Sequence, residues 1–186
     1  GEPAFLTSDA KSLTGNALFY GEWALYHRQN AFSALRFESL VVPFAGKPDG
    51  WSTAALGLYF DAQNYWLLML TQSPASDGGK RLAGLSEMRD GQWLSESSLQ
   101  TVEPFAENAK FSWQPGKSYR LRLELENQKL TGAIIDQSGA VCWRQSYLLS
   151  SSSVKYGAPA FYVNALKTEF QPALLQTQAD AIVPFQ

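Results

Sequence analysis

Residues 113–143 read WQPGKSYRLRLELENQKLTGAIIDQSGAVCW. Within them Tyr119, Leu121, Leu123 and Leu125 alternate with Arg120, Arg122, Glu124 and Glu126. A period of two is the mark of a strand with one buried and one wet face. The wet face carries two basic and two acidic side chains, a balance that suits solvent. Asn127-Gln128 then reverses the chain, a second strand covers residues 129–135, and Asp136-Gln137-Ser138-Gly139 turns into a third strand from Ala140. This antiparallel meander predicts an all-β protein.

The rest of the chain repeats the theme. Residues 22–29, 53–60, 65–71, 80–90, 141–149 and 156–170 read as strands, the last as one long strand or two broken near Asn164. Residues 92–102 read as an antiparallel return and a sheet edge, and Pro104 argues against a central strand beyond it. Residues 65–71, YWLLMLT, are apolar on both faces, which predicts a strand covered on both sides. Between Phe32 and Val42 the period of two slips, so a bulge between Ala34 and Phe37 or a short helix is expected. No 20–50-residue repeat is present. The expectation is a single domain over residues 1–186, with 1–16 and 172–186 as peripheral segments, built as a jelly-roll β-sandwich of two antiparallel sheets.

Composition narrows the function. The chain has 186 residues, 13% of them aromatic, and a net charge of −2. It has no basic run, which argues against nucleic acid or an anionic membrane as partner. No apolar stretch approaches the roughly 18 residues a membrane span needs. Cys142 is the only cysteine, so no intrachain disulfide forms and no Cys/His zinc cluster exists. The expected setting is secreted, periplasmic or cell-surface, with a signal sequence already removed before Gly1.

From Gly21 to Phe170 the order of features resembles the concanavalin A-like lectin/glucanase superfamily. The residues that carry the likeness are Gly21 and Trp23, the run Ala55-Leu56-Gly57-Leu58-Tyr59-Phe60, Asn64-Tyr65-Trp66, Trp113-Gln114-Pro115-Gly116-Lys117 before the Tyr-Arg-Leu strand, Gly132 and Asp136, and the closing 157–170 segment. It is similar in particular to the laminin-G-like and glycoside-hydrolase-associated jelly rolls of bacteria. The resemblance implies two antiparallel sheets with the concave one as the sugar platform. It departs from the hydrolytic members, whose Glu-x-Asp-x-x-Glu strand has no counterpart here. Glu87 and Asp90 are three apart and would face opposite ways, while Glu124 and Glu126 sit among arginines on a wet face.

A sugar site needs flat aromatic faces and planar polar groups. The candidate constellation is Tyr59, Trp66, Arg81, Glu87, Arg89 and Trp93, where Arg81, Glu87 and Arg89 share one strand parity. Against it stands the reading of Trp66 as core and of the arginines as a solvated edge. Trp23, Trp113 and Trp143 read as packing residues, Trp51 as a loop anchor or an overhang. His27 reads as structural, since no Gly-x-Ser-x-Gly elbow supports a triad, and Cys142 as a buried small hydrophobe. No cofactor is expected. Loop carboxylates Asp49, Asp61, Asp77 and Asp136 are the positions from which a structural calcium would draw ligands. Three functions follow: a non-catalytic carbohydrate-binding or accessory domain first, a glycoside hydrolase second, a structural or protein-interaction domain third.

Overall fold

The computed structural model describes residues 4–9, 12–17, 23–27, 30–47, 49–94, 100–102, 104–177 and 182–183. In chain order the strands are β1 Ala4–Asp9, β2 Ser12–Asn16, β3 Trp23–His27, β4 Ala31–Phe32, β5 Leu35–Pro43, β6 Ser52–Asp61, β7 Asn64–Gln72 and β8 Arg81–Arg89. They continue with β9 Gln92–Trp93, β10 Gln100–Val102, β11 Tyr119–Glu126, β12 Lys129–Ile135, β13 Val141–Leu148, β14 Ala158–Asn164, β15 Lys167–Thr177 and β16 Ile182–Val183. An eight-stranded sheet runs β1-β2-β15-β5-β11-β12-β13-β10, and a six-stranded sheet runs β3-β14-β6-β7-β8-β9. A small ribbon pairs β16 with β4. Every ladder is antiparallel. This is the all-β jelly-roll sandwich.

The 113–143 meander forms the middle of the larger sheet. Leu121, Leu123, Leu130 and Ile134 are fully buried, facing Leu56, Leu68 and Leu85 of the smaller sheet in one apolar core. Asn127 and Gln128 both take positive φ, the backbone a two-residue hairpin needs. Gly132 lets β12 approach β7 closely: a Cβ there would stand 2.8 Å from Leu68 Cδ1. Trp113 and Trp143 are buried as expected, and the Trp113 indole N–H donates to the Thr71 carbonyl at 2.8 Å. The Trp23 side chain lies outside the described residues, as do residues 18–22.

Four expectations are corrected. The slip at residues 32–37 is neither a bulge nor a helix, because the chain leaves its partner β16 after Phe32 and joins the larger sheet at Leu35. Residues 92–102 do not form one return strand. Only Gln92–Trp93 pairs with β8, whereas Gln100–Val102 pairs with β13 in the other sheet. The segment after residue 172 is not wholly peripheral, since β15 stays paired with the central strand β5 as far as Thr177. Cys142 is half-buried rather than buried: it is the extra, unpaired residue of β13 at a register shift against β12, and its thiol donates to the Ile134 carbonyl at 3.2 Å.

Two prolines sit beside interruptions in the described pairing. Pro172 of β15 comes two residues after the last β2 pair at Phe170, beside a register shift. Pro159 of β14 lies between Gly157, bridged to Phe32, and Ala160, paired with His27.

Candidate functional site

The outward face of the six-stranded sheet collects the aromatic side chains. The hairpin between β6 and β7 decides which ones. A regular two-residue loop at 62–63 would pair Tyr59 with Trp66. Instead the register shifts at Phe60, so Asp61 pairs with Asn64 and Tyr59 with Tyr65. A one-residue slip exchanges the faces of a strand. Tyr65 therefore stands outward beside Tyr59, and Trp66 turns inward.

A row of rings crosses the sheet as a result. His27 of β3 stacks on Tyr59 with centroids 4.5 Å apart and planes 24° from parallel. Tyr59 and Tyr65 lie 6.4 Å apart at 28°. Tyr65 meets Trp93 edge to face at 5.7 Å and 88°. Trp93 is 49% exposed. Burial raises the Tyr65 phenol, helped by the charge of Tyr59, and burial with the charge of Asp61 raises Tyr59. Both rings thus keep a hydroxyl donor at neutral pH. Beside the row the floor is low: Gly57 and Ala160 pair across the strands, next to the buried cluster of Ala55, Leu67 and Tyr162.

The six residues expected at the site separate. Tyr59 and Trp93 meet on the outward face, joined by Tyr65 and His27. Trp66 is fully buried between the sheets, its indole N–H donating to the Val154 carbonyl at 3.0 Å, so it is not a sugar platform. Arg81, Glu87 and Arg89 do share one parity, but it is the inward parity of β8, shared with buried Leu85. Glu87 is fully buried; it accepts from the Val154 amide at 2.7 Å and from the Arg89 guanidinium. Arg89 reaches past it to Ser152 Oγ at 3.0 Å and Ser153 Oγ at 3.3 Å. These two side chains tie down the 150–153 serine loop. Arg81 donates to Gln72 Oε1 at 3.2 Å and lies 5.5 Å over the Trp113 ring.

A cleft of about 300 Å³ is lined by Phe60, Asn64, Ser152, Ser153, Lys155 and Tyr156. Phe60, the extra residue at the register shift, is exposed and meets Tyr156 edge to face at 5.0 Å. His27 is not an internal residue: it is exposed, and its ring extends the aromatic row.

For metal the geometry offers little. Among the described residues no three His, Cys, Asp or Glu side chains gather in one place. Asp61 accepts from Gln63 N and Asn64 Nδ2, and Asp136 accepts from Ser138 N, Ser138 Oγ and Ala140 N. Those carboxylates close turns. The Ser138 hydroxyl, joined by the Ala140 and Ser138 amides, holds the Asp136 carboxyl below the usual range.

No family model and no curated protein matches the chain. Solved structures do. The carbohydrate-binding module CBM66 from Bacillus subtilis superposes with a TM-score of 0.64 at 15% identity, over 95% of this chain and 92% of that one. The GH43 protein BlXynB from Bacillus licheniformis gives 0.59 at 10% identity, over 90% of this chain and 33% of that one. A functionally unknown protein from Saccharomyces cerevisiae gives 0.53 at 11% identity, over 96% and 94%. At these identities the likeness is one of fold. The chain has the concanavalin A-like jelly-roll architecture, a fold it shares with a carbohydrate-binding module.

Proposed function

We propose that the protein is a non-catalytic carbohydrate-binding domain, working outside the cytoplasm, that holds a glycan on the outward face of the six-stranded sheet. The observation that carries this is the row His27, Tyr59, Tyr65 and Trp93. Pyranose and furanose rings present apolar C–H faces that stack on such rings, while Tyr hydroxyls and the imidazole serve the sugar hydroxyls. The architecture shared with CBM66 supports the reading.

Binding is favoured over hydrolysis by the carboxylates. A glycosidase of the usual kind needs two, about 5 to 10 Å apart across the sugar. Among the described outward positions of β6, β7, β8 and β14 there is no carboxylate.

The test is a calorimetric titration with soluble plant, algal, bacterial and host glycans. Saturable binding to one class is expected, with no product after long incubation. Trp93→Ala and Tyr65→Ala should each weaken that binding at least about tenfold, the loss of one central aromatic anchor. Silence across the panel, or full affinity in both variants, overturns the proposal.

A further inference from the structure

The cleft of about 300 Å³ at the β6–β7 hairpin is not used by the aromatic row. One hairpin serves both. Tyr59 and Tyr65 belong to the row, while their chain neighbours Phe60 and Asn64 line the cleft. The remaining lining comes from residues 151–156, the serine loop and the three residues that follow it.

The lining combines an apolar and a polar part. The apolar part is exposed Phe60, set edge to face against half-buried Tyr156. The polar part is the hydroxyls of Ser151, Ser152 and Ser153 and the ammonium of Lys155. No carboxylate lines the cleft. Of the carboxylates bonded to its surroundings, Asp61 holds Asn64 Nδ2 at 3.0 Å and Glu87 holds the Val154 amide at 2.7 Å, so both are engaged. Lys155 is half-buried and has no hydrogen-bond or ion-pair partner among the described residues, and the Tyr156 hydroxyl has none either. Both donors are left for a ligand. The serines, by contrast, are held in place. Arg89 donates to Ser152 Oγ at 3.0 Å and to Ser153 Oγ at 3.3 Å, and the Ser150 amide donates to Ser153 Oγ at 3.1 Å. A loop fixed beforehand spares a ligand the cost of ordering it.

We propose that this cleft is a second carbohydrate site, taking a single sugar residue or a disaccharide. An apolar C–H face of the sugar packs on Phe60 and Tyr156, and its hydroxyls accept from Lys155 and Tyr156 and meet the serine hydroxyls. The volume stands at the lower end of the range for small-molecule sites, about 300–1,000 Å³, so the ligand is short. An aromatic pair with several fixed hydroxyls and one ammonium suits a polyhydroxylated ring better than a phosphate, which favours clustered guanidiniums. The choice of a sugar rests on the function proposed above; the site itself uses no residue of the aromatic row.

The experiment is an NMR titration of the ¹⁵N-labelled chain with glucose, galactose, mannose, xylose, arabinose, fructose and N-acetylglucosamine, and with cellobiose, lactose, sucrose and xylobiose. It reads the amides of residues 151–156 and, separately, the Trp93 indole N–H. A saturable shift of the 151–156 amides with one sugar is expected. Phe60→Ala and Lys155→Gln should each weaken that response at least about tenfold while melting near the wild-type temperature. Trp93→Ala should leave it unchanged. Silence of the 151–156 amides across the panel, full affinity in both cleft variants, or loss of the response with Trp93→Ala overturns the proposal. An equal response to adenosine also overturns it, since the cleft would then trap any flat ring. Silent loop amides with a responding Trp93 sink this site and spare the aromatic row. Responding loop amides with a silent Trp93 do the reverse.

Discussion

Glu87 offers the sharpest test of how the site end of the molecule is held. Its carboxylate is fully buried, faces the Val154 amide at 2.7 Å, and is paired with Arg89, whose side chain is only 22% exposed. Glu87→Ala removes both interactions, leaving a buried N–H without an acceptor and a guanidinium without its counter-charge. Breaking a buried pair from one side costs about 3–5 kcal/mol. For a chain of this size that lowers the melting temperature by roughly 6–20 °C. Glu87→Gln keeps one oxygen for the Val154 amide but faces Arg89 with a neutral amide, and should cost about 2 kcal/mol. Calorimetric melting of Glu87→Ala, Arg89→Ala and the double variant closes a cycle. The double variant should fall short of the sum of the singles by about 1–3 kcal/mol, because each single strands the other group. The 150–153 loop should also become protease-sensitive in Glu87→Ala. A melting temperature within a degree or two of wild type, or strict additivity, would refute the latch.

Three further outcomes follow from packing and charge. Gly157→Ala should destabilise more than Gly132→Ala, by thermal melting, because a Cβ at Gly157 meets the Tyr59 carbonyl oxygen at 2.8 Å, whereas at Gly132 it meets the end of the Leu68 side chain at 2.8 Å. Equal losses would mean the backbone at Tyr59 gives way. Burial works to raise Glu38, but the hydrogen bonds from Arg36 and Arg122 prevail and its folded pKa lies below the ordinary carboxylate value. Its contribution is therefore complete above about pH 4.5 and fades as pH falls through the lower folded value. The stability gap between wild type and Glu38→Gln should shrink from pH 6 toward about pH 3, and a constant gap would refute this. Tyr162 is pushed up to about 12, mainly by burial and secondarily by Tyr65. A raised folded pKa gives stability that is full below about pH 10 and lost as pH rises toward the folded value. An ultraviolet alkaline titration should show one late phenol that Tyr162→Phe removes; an unchanged titration curve in that variant would refute the assignment.

The meander was legible because its period of two is unbroken and its turns carry their own signals. Residues 119–126 place four apolar side chains on one face, and the structure buries all four. The site was only half legible, for two physical reasons. Parity groups side chains onto a face without saying which face is inside. In β8 the row Arg81, Ala83, Leu85, Glu87, Arg89 is no more polar than an outward row needs to be, yet the buried pairing of Glu87 with Arg89 turns it inward. The second reason is the register shift at Phe60. A regular hairpin would have joined Tyr59 to Trp66, as the sequence spacing reads, and one extra residue joins it to Tyr65 instead. His27 shares its strand with Trp23 and Leu25, but nothing in the chain tells that β3 lies beyond β14, where the ring reaches Tyr59.

The two prolines beside interruptions in the pairing bear on how copies of the chain meet one another. A free sheet margin recruits a second molecule by offering a regular series of N–H donors and carbonyl acceptors. Pro172 offers no donor two residues past the last described β2 pair, and the register shift beside it puts the next groups out of step. Pro159 deletes another in the interval between the β4 bridge and the β3 ladder. A copy that pairs along either margin meets a residue offering no N–H, which works against intermolecular zipping.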